Sequence, residues 1–169
     1  MASGSWTLEI EFSVQASRIF KAAVLDWHSL APKAVPEFVV SGVVLEGEGG
    51  AGSVRQLNFS PAIPFGYVKE RLDFVDVDKL ECKQTLVEGG HIGSKLETAS
   101  THFKFEPKAG GGSVLKVVST YKFLPGVEDN EGEIVKSKET LTGIMKAAEA
   151  YLVANPSAYP CVLSYVYGV

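Results

Sequence analysis

Residues 6–14 read WTLEIEFSV, and this stretch decides how the chain folds. Its apolar side chains, at Trp6, Leu8, Ile10, Phe12 and Val14, alternate with polar ones. A period of two is typical of a β-strand that has one face in water and the other in the core. A sheet built from such strands must bury its apolar face against a second layer. The rest of the chain must therefore supply that layer.

Two short helices are predicted directly after this strand. Across residues 16–27 the apolar side chains recur three and four positions apart, which predicts an amphipathic helix. A second helix is predicted over residues 29–33, with Pro32 in its first turn, where a backbone N–H is not needed. Pro36 marks the end of this helical region.

Strands return in the middle of the chain, separated by turns rich in glycine, proline and aspartate. They are predicted over residues 38–46, 54–59, 67–75, 79–87, 95–106 and 113–123. Because the connections are short, these strands are expected to form hairpins and hence an antiparallel meander.

The last regular element is a long helix. Helical spacing over residues 131–154 predicts it, Asp129 or Asn130 can cap its start, and Asn155-Pro156 stops it. At 1.5 Å per residue such a helix is about 36 Å long, enough to span a sheet.

The order of these elements predicts an α+β fold. We expect one domain over residues 1–160 and a tail over residues 161–169, which is apolar but aperiodic. One long helix and two short ones cannot fill a strongly curved sheet of seven strands. An internal cavity lined by the dry faces is the expected consequence, and such a cavity is a natural ligand site.

Charge and composition argue against several classes of protein. A net charge of −4 lacks the basic surplus of a nucleic-acid binder, so nucleic acid is an unlikely partner. No apolar run is long enough to cross a membrane, and the first residues do not resemble a secretory signal. We expect a cytoplasmic protein that has no membrane partner and is a monomer or a weak dimer.

Cysteine and histidine spacing gives no indication of a metal or a cofactor. Cys82 and Cys161 form no C-x-x-C pair, and His28, His91 and His102 are widely separated. We therefore expect no bound metal and no cofactor.

The segment EGEGGAGS at residues 46–53 admits two interpretations. A glycine-rich loop can hold phosphate when a Lys-Ser or Lys-Thr pair and a helix follow it. Here Val54 and Arg55 follow and begin a predicted strand. A tight hairpin loop, in which glycine supplies positive φ, is the simpler interpretation.

Four motifs occur in the order that is found in one family of plant proteins. They are the glycine loop at residues 46–53, YVKERLD at 67–73, VEGG at 87–90, and AYL at 150–152 followed by Asn155-Pro156. Over about residues 5–160 the chain resembles the birch-pollen-allergen family of intracellular pathogenesis-related proteins. Residues 27–28 and 62–88 look most like its monocot, asparagus-type members.

This resemblance implies a fold and a function. The fold is the helix-grip (START-like) arrangement, in which a seven-stranded curved antiparallel sheet surrounds a long C-terminal helix and two short helices lie beneath the end of that helix. The function implied is binding, storage or transport of small hydrophobic or amphipathic metabolites or phytohormones in defence and stress. Cytokinins, flavonoids and sterol-like molecules are the expected ligands.

Seventeen residues are predicted to contact such a ligand, although each could equally belong to the packed core. Alternation places five on shared strand faces: Thr101, Phe103, Val117, Ser119 and Tyr121. Four on the long helix should face the cavity: Ser137, Leu141, Ile144 and Met145. The resemblance adds six more: Leu57, Phe59, Phe65, Tyr67, Cys82 and Gln84. Phe38 and His91 complete the set.

Two catalytic alternatives remain open, and no catalytic residue is assigned. Some relatives condense an amine with an aldehyde by means of a tyrosine after the Glu-Gly-Gly turn, and here His91 holds that position and could act as a general base. Ribonuclease activity is also claimed for the family, and the residues invoked would be Arg55, Glu97, Glu149 and Tyr151. The acidic balance of the chain counts against binding of RNA. A binding protein is therefore favoured over an enzyme.

Overall fold

The computed structural model describes residues 3–129 and 131–160. Its elements are β1 (Ser3–Phe12), α1 (Ala16–Phe20) with a π-helical turn (Lys21–Leu25), α2 (Trp27–Ala34), β2 (Val39–Glu46), β3 (Val54–Phe59), β4 (Tyr67–Asp76), β5 (Glu81–Gly89), β6 (Leu96–Pro107), β7 (Ser113–Phe123) and α3 (Glu131–Ala154). The predicted α+β fold, with seven strands, two short helices and a long C-terminal helix, is confirmed. The expected tail over residues 161–169 and the possible cap at Asn130 lie outside the described residues.

The seven strands form one antiparallel sheet in the order β1-β7-β6-β5-β4-β3-β2. Strands β2 to β7 are a meander, and β1 forms the edge next to β7. The register sets Trp6 opposite Ser119, Leu8 opposite Val117 and Ile10 opposite Leu115. The alternating apolar residues of β1 therefore lie on the same face as the inner residues of β7.

The helical region after β1 differs in detail from the prediction. The first helix ends at Leu25, and Trp27 begins α2, because Trp27, Leu30 and Ala31 share the buried face of that second helix. Pro32 is the sixth residue of α2, so its predicted place in the first turn is wrong. A proline there cannot donate to the carbonyl of His28, four residues earlier.

Gly42 on β2 faces the carbonyl of His28. A Cβ atom at position 42 would collide with the backbone of His28. The lack of a side chain at Gly42 thus allows β2 to pass close to the helix.

Only part of α3 is buried in the core. The buried residues of α3 are Met145, Ala148 and Leu152, all in its second half. They belong to one apolar cluster with residues of α1, β6 and β7, in which the Phe20 and Phe105 rings meet edge to face at 5.8 Å. No residue among 131–144 is fully buried, although Leu141 and Ile144 pack against the core as partly buried side chains.

A cation fixes the C-terminal end of α3. The Nη2 atom of Arg18 donates to the carbonyl oxygens of Leu152, Asn155 and Ala158 at 3.3, 3.2 and 2.8 Å. Leu152 lies in the last turn of α3, where carbonyls lack intrahelical partners and the helix dipole favours positive charge, and Asn155 and Ala158 lie just after that end. The Glu149 carboxylate adds a second attachment by accepting from the backbone N–H of Ser13 at 2.6 Å.

Candidate functional site

A pocket of about 600 Å³ lies between the concave face of the sheet and α3. Its walls come from the π-helical turn, α2, strands β2 to β6 and residues 139–147 of α3. The pocket is located there because α3 is held by its second half while its first half contributes no buried residue. Most of the lining side chains are apolar.

Nine of the predicted ligand-binding residues line this pocket: Phe38, Leu57, Phe59, Phe65, Gln84, Phe103, Leu141, Ile144 and Met145. The structure thus brings together predicted residues from β3, β5, β6 and α3, together with two from the loops before β2 and before β4. Contact with a ligand stays a prediction for each of them.

The other eight predicted residues are not part of the lining: Tyr67, Cys82, His91, Thr101, Val117, Ser119, Tyr121 and Ser137. Cys82, Phe103 and Val117 form one row across three strands, in which all three are buried. Thr101 and Ser119 form the next row with Gln84.

Four polar members of this second group have partners within the protein. The Tyr67 hydroxyl donates to Glu88 at 2.6 Å, and the Tyr121 hydroxyl donates to Asp129 at 3.2 Å. The Ser137 hydroxyl donates to the carbonyl of Glu133 at 2.9 Å, within α3. The exposed His91 ring lies edge to face with Phe65, with 5.3 Å between the ring centroids.

Sequence reasoning missed thirteen lining residues. Eight are apolar or glycine: Ala23, Trp27, Val35, Val39, Ile63, Val68, Gly143 and Ala147. Five are polar: Glu37, Arg55, Glu70, Glu139 and Thr140.

The alternation along β3 could have located two of the polar residues. Leu57 was predicted to face the cavity, and Arg55 is two positions before it, on the same face. Glu70 lies directly opposite Arg55 on β4. Both charges therefore point to the concave side, which the sequence pattern implied but the prediction overlooked.

Arg55 and Glu70 form a buried ion pair at the wall of the pocket. Arg55 Nε donates to Glu70 Oε1 at 2.8 Å, and the two residues are 2% and 5% exposed. Arg55 also donates to the carbonyl of Val24, and Gln84 Nε2 donates to Glu70 Oε2 at 3.1 Å. Buried charges persist only when they are paired and hydrogen-bonded, and this network meets that condition. It forms a polar centre in an otherwise apolar pocket.

Two groups near this pair have shifted pKa values. Burial raises the pKa of the Cys82 thiol to about 12, against a smaller opposite effect of the Arg55 charge, so the thiol stays protonated. Burial, followed by the charge of Arg55, lowers the pKa of His28. Neither group is therefore disposed to carry charge at neutral pH.

The glycine loop folds as a connection between strands. Gly49 N donates to the Ser53 hydroxyl at 2.8 Å, and β3 begins at Val54. A strand thus follows the loop in place of the helix that a phosphate-binding loop needs. The structure favours the hairpin interpretation.

The residues invoked for a ribonuclease each have a separate structural contact. Arg55 pairs with Glu70, Glu97 pairs with Lys122 at 2.8 Å, and Glu149 binds the backbone of Ser13. Tyr151 packs against the apolar core. These contacts account for the side chains without a catalytic role.

The described residues contain neither a metal-binding cluster nor a membrane-spanning helix. Across 3–129 and 131–160, no group of three or more histidine, cysteine, aspartate or glutamate side chains could hold a metal ion. None of the helices in that part of the chain combines the length and the apolar character needed to cross a membrane.

Comparisons with known proteins agree with the fold and with the motifs. The model of the "Pathogenesis-related protein Bet v 1 family" matches residues 1–155. Pathogenesis-related protein 1 of Asparagus officinalis is 58% identical over 160 residues, which are 94% of this chain and 99% of that protein. Major allergen Pru ar 1 of Prunus armeniaca is 37% identical over 158 residues, 92% of this chain and 99% of the allergen.

A solved structure supports the same relationship. The crystal structure of Ara h 8.0201 superposes with a TM-score of 0.80 at 28% sequence identity. The superposition covers 91% of this chain and 100% of that one. The likeness therefore extends over the sheet and its helices as a whole.

Proposed function

The chain belongs to the Bet v 1 family of pathogenesis-related proteins, and on that premise we propose that it binds a small hydrophobic or amphipathic molecule in the pocket beside α3. Residues 1–160 act as one ligand-binding domain. The protein stores or carries a plant metabolite or phytohormone of the cytokinin, flavonoid or sterol-like class during defence or stress. It does so in the cytoplasm, without a cofactor, as a monomer or a weak dimer.

The observation that carries this proposal is the apolar pocket of about 600 Å³. Sites for small organic molecules have volumes of about 300 to 1,000 Å³ and are lined mainly by apolar side chains with a few polar groups. Phe59, Phe65 and Phe103 supply aromatic surface, and Leu57 and Ile144 supply aliphatic surface. A flat, apolar guest would bury most of its area there.

The polar centre gives the pocket a means of orienting its guest. Among the described residues, one oxygen of the Glu70 carboxylate accepts a hydrogen bond from Arg55 and the other accepts one from Gln84. A carboxylate can accept about four hydrogen bonds, so capacity remains for a ligand hydroxyl or amine. An amphipathic ligand would direct its donor towards Glu70 and its ring towards the phenylalanines.

Binding is tested by titration with N-phenyl-1-naphthylamine, an uncharged dye whose fluorescence rises in apolar surroundings. We expect saturable binding at micromolar concentration and stoichiometric displacement by a competing metabolite. Native mass spectrometry of the protein extracted from its source tissue would then identify the natural ligand.

A matched pair of variants tests whether the dye binds in this pocket. Gly143 lines the pocket, and a Cβ added there meets no atom within 4 Å, so Gly143→Leu should fill space without a clash. Val153→Leu changes an exposed position of the same helix. Gly143→Leu should weaken dye binding several-fold and Val153→Leu should not. Absence of micromolar binding, or equal affinity in both variants, would contradict the proposal.

A further inference from the structure

The charged residues that line the pocket are predominantly acidic. They are one guanidinium, of Arg55, and three carboxylates, of Glu37, Glu70 and Glu139, which leaves a formal charge of −2. Lys136 and Lys138 lie on the same helix as Glu139 but outside the lining. Among the lining residues, Arg55 is the one cation.

Arg55 is already paired with a carboxylate. Its Nε atom donates to Glu70 at 2.8 Å, it also donates to the carbonyl of Val24, and the side chain is 3% exposed. The Glu70 carboxylate balances its positive charge and also accepts a hydrogen bond from Gln84. Within the part of the chain that the structure describes, the interior of the pocket therefore offers no unpaired positive charge.

The rim of the pocket carries the other two carboxylates. We define the rim as the exposed lining residues, which are Glu37, Phe38, Glu139, Thr140 and Gly143. Glu37 precedes β2 and Glu139 lies on α3, so the two acids come from separate walls. Within residues 3–129 and 131–160, neither carboxylate makes an ion pair.

A charged amphiphile that enters the pocket must leave its charged group at this rim. Burial of an unpaired charge is costly, so the apolar part enters and the charged part stays in water. At the rim an anionic group meets two negative charges, whereas an ammonium group meets two partners of opposite sign.

We propose that Glu37 and Glu139 determine ligand specificity by admitting uncharged or cationic amphiphiles and disfavouring anionic ones. This inference rests on the proposed ligand-binding function and concerns the same pocket. The preferred ligand is therefore an uncharged aromatic molecule or an aromatic amine, and aromatic carboxylates and sulfonates bind less well.

The first experiment uses two dyes with one skeleton. N-phenyl-1-naphthylamine is uncharged, and 8-anilinonaphthalene-1-sulfonate adds a single negative charge. In the double variant Glu37→Gln, Glu139→Gln the affinity for the sulfonate should rise by about threefold to tenfold, because two repulsions at the surface are removed. The affinity for the uncharged dye should change by less than about twofold, because it carries no charge to repel.

A matched variant controls for the overall loss of charge. Glu9→Gln with Asp78→Asn removes two charges from β1 and from the turn between β4 and β5, and neither residue lines the pocket. This control should leave the affinities for both dyes unchanged. A competition series with 1-naphthylmethylamine and 1-naphthoate extends the test, and the amine should displace the uncharged dye at lower concentration than the acid does.

The outcomes distinguish this inference from the function on which it rests. If the uncharged dye fails to bind the wild-type protein, the proposed function fails and the inference fails with it. If that dye binds but the Glu37→Gln, Glu139→Gln variant leaves the sulfonate affinity unchanged, the function stands and the inference is overturned. A gain for the sulfonate that the Glu9→Gln, Asp78→Asn control matches would also overturn it.

Discussion

At the scale of single residues, the pocket depends on the ion pair between Arg55 and Glu70. Each charge is buried, and each is compensated by the other and by hydrogen bonds to Val24 and Gln84. Such a pair adds little net stability compared with apolar residues, but the loss of one member leaves the other as an unpaired buried charge.

Removal of one member of this pair should therefore destabilise the folded protein more than removal of both. We expect Arg55→Met or Glu70→Leu alone to lower the free energy of unfolding by about 3 to 5 kcal/mol, and the double variant to lose less than either single variant. Urea unfolding of the four proteins measures this coupling. Additive losses in the double variant would contradict it.

Cys82 permits a second test at this scale. Its thiol is fully buried, and burial raises its pKa to about 12. Since the usual thiol pKa is about 8.5, the thiolate fraction at pH 8 should fall by about a thousandfold on folding.

Alkylation of Cys82 by iodoacetamide at pH 8 should then be at least about a hundredfold slower in the folded protein than in urea. Peptide mass spectrometry measures the alkylation of Cys82 separately from that of Cys161. Equal rates in both states would show that the thiol is not buried.

The raised pKa of Cys82 also has a consequence for stability. The folded state holds the thiol proton up to about pH 12, whereas the unfolded chain releases it at lower pH. The stabilising contribution of the Cys82 thiol is therefore fully present below the pKa that this thiol has in the unfolded chain. It is lost as pH rises from about 8.5 towards 12. Cys82→Ala should show a shallower decline in stability over this range in urea unfolding.

At the scale of the elements, two glycines illustrate opposite uses of the same residue. Gly143 lies within α3, where a Cβ atom would meet open space, and Gly42 lies where a Cβ atom would strike the backbone of α2. In a helix interior, glycine is less favourable than alanine by about 1 kcal/mol. Gly143 therefore costs helix stability, whereas Gly42 permits the approach of strand and helix.

Substitution by alanine should have opposite effects at these two positions. Gly143→Ala should raise the free energy of unfolding by about 1 kcal/mol. Gly42→Ala should lower it by about 1 to 3 kcal/mol, because a backbone carbonyl cannot move away as a side chain can. Thermal and urea unfolding report both values. A destabilising Gly143→Ala, or a neutral Gly42→Ala, would be inconsistent with the packing described.

Most of the elements could be predicted from the period of the apolar residues. The alternation in WTLEIEFSV gave β1, and helical spacing gave α3 with the observed bounds Glu131–Ala154. The predicted start of α2, with Pro32 in the first turn, was wrong. The preference of proline for a first turn was outweighed because Trp27 and Leu30 are buried on one face of the helix. Tertiary packing thus decided where α2 begins.

At the scale of the whole molecule, the position of α3 determines which concave residues meet the pocket and which meet the core. Arg18 and Glu149 hold its second half, and the buried residues of α3 all lie there. Alternation specifies the face of a strand but not its distance from a helix that arrives from elsewhere in the chain. Sequence reasoning therefore predicted that both Phe103 and Val117 contact a ligand, although only Phe103 lines the pocket.

The most direct test of the account is to locate a bound ligand by intermolecular nuclear Overhauser effects between N-phenyl-1-naphthylamine and the methyl groups of the labelled protein. We predict effects to Leu57, Leu141 and Ile144, which line the pocket. Effects confined to exposed valines such as Val118 and Val153, or none at saturating dye, would contradict the claim that the space beside α3 is the binding site.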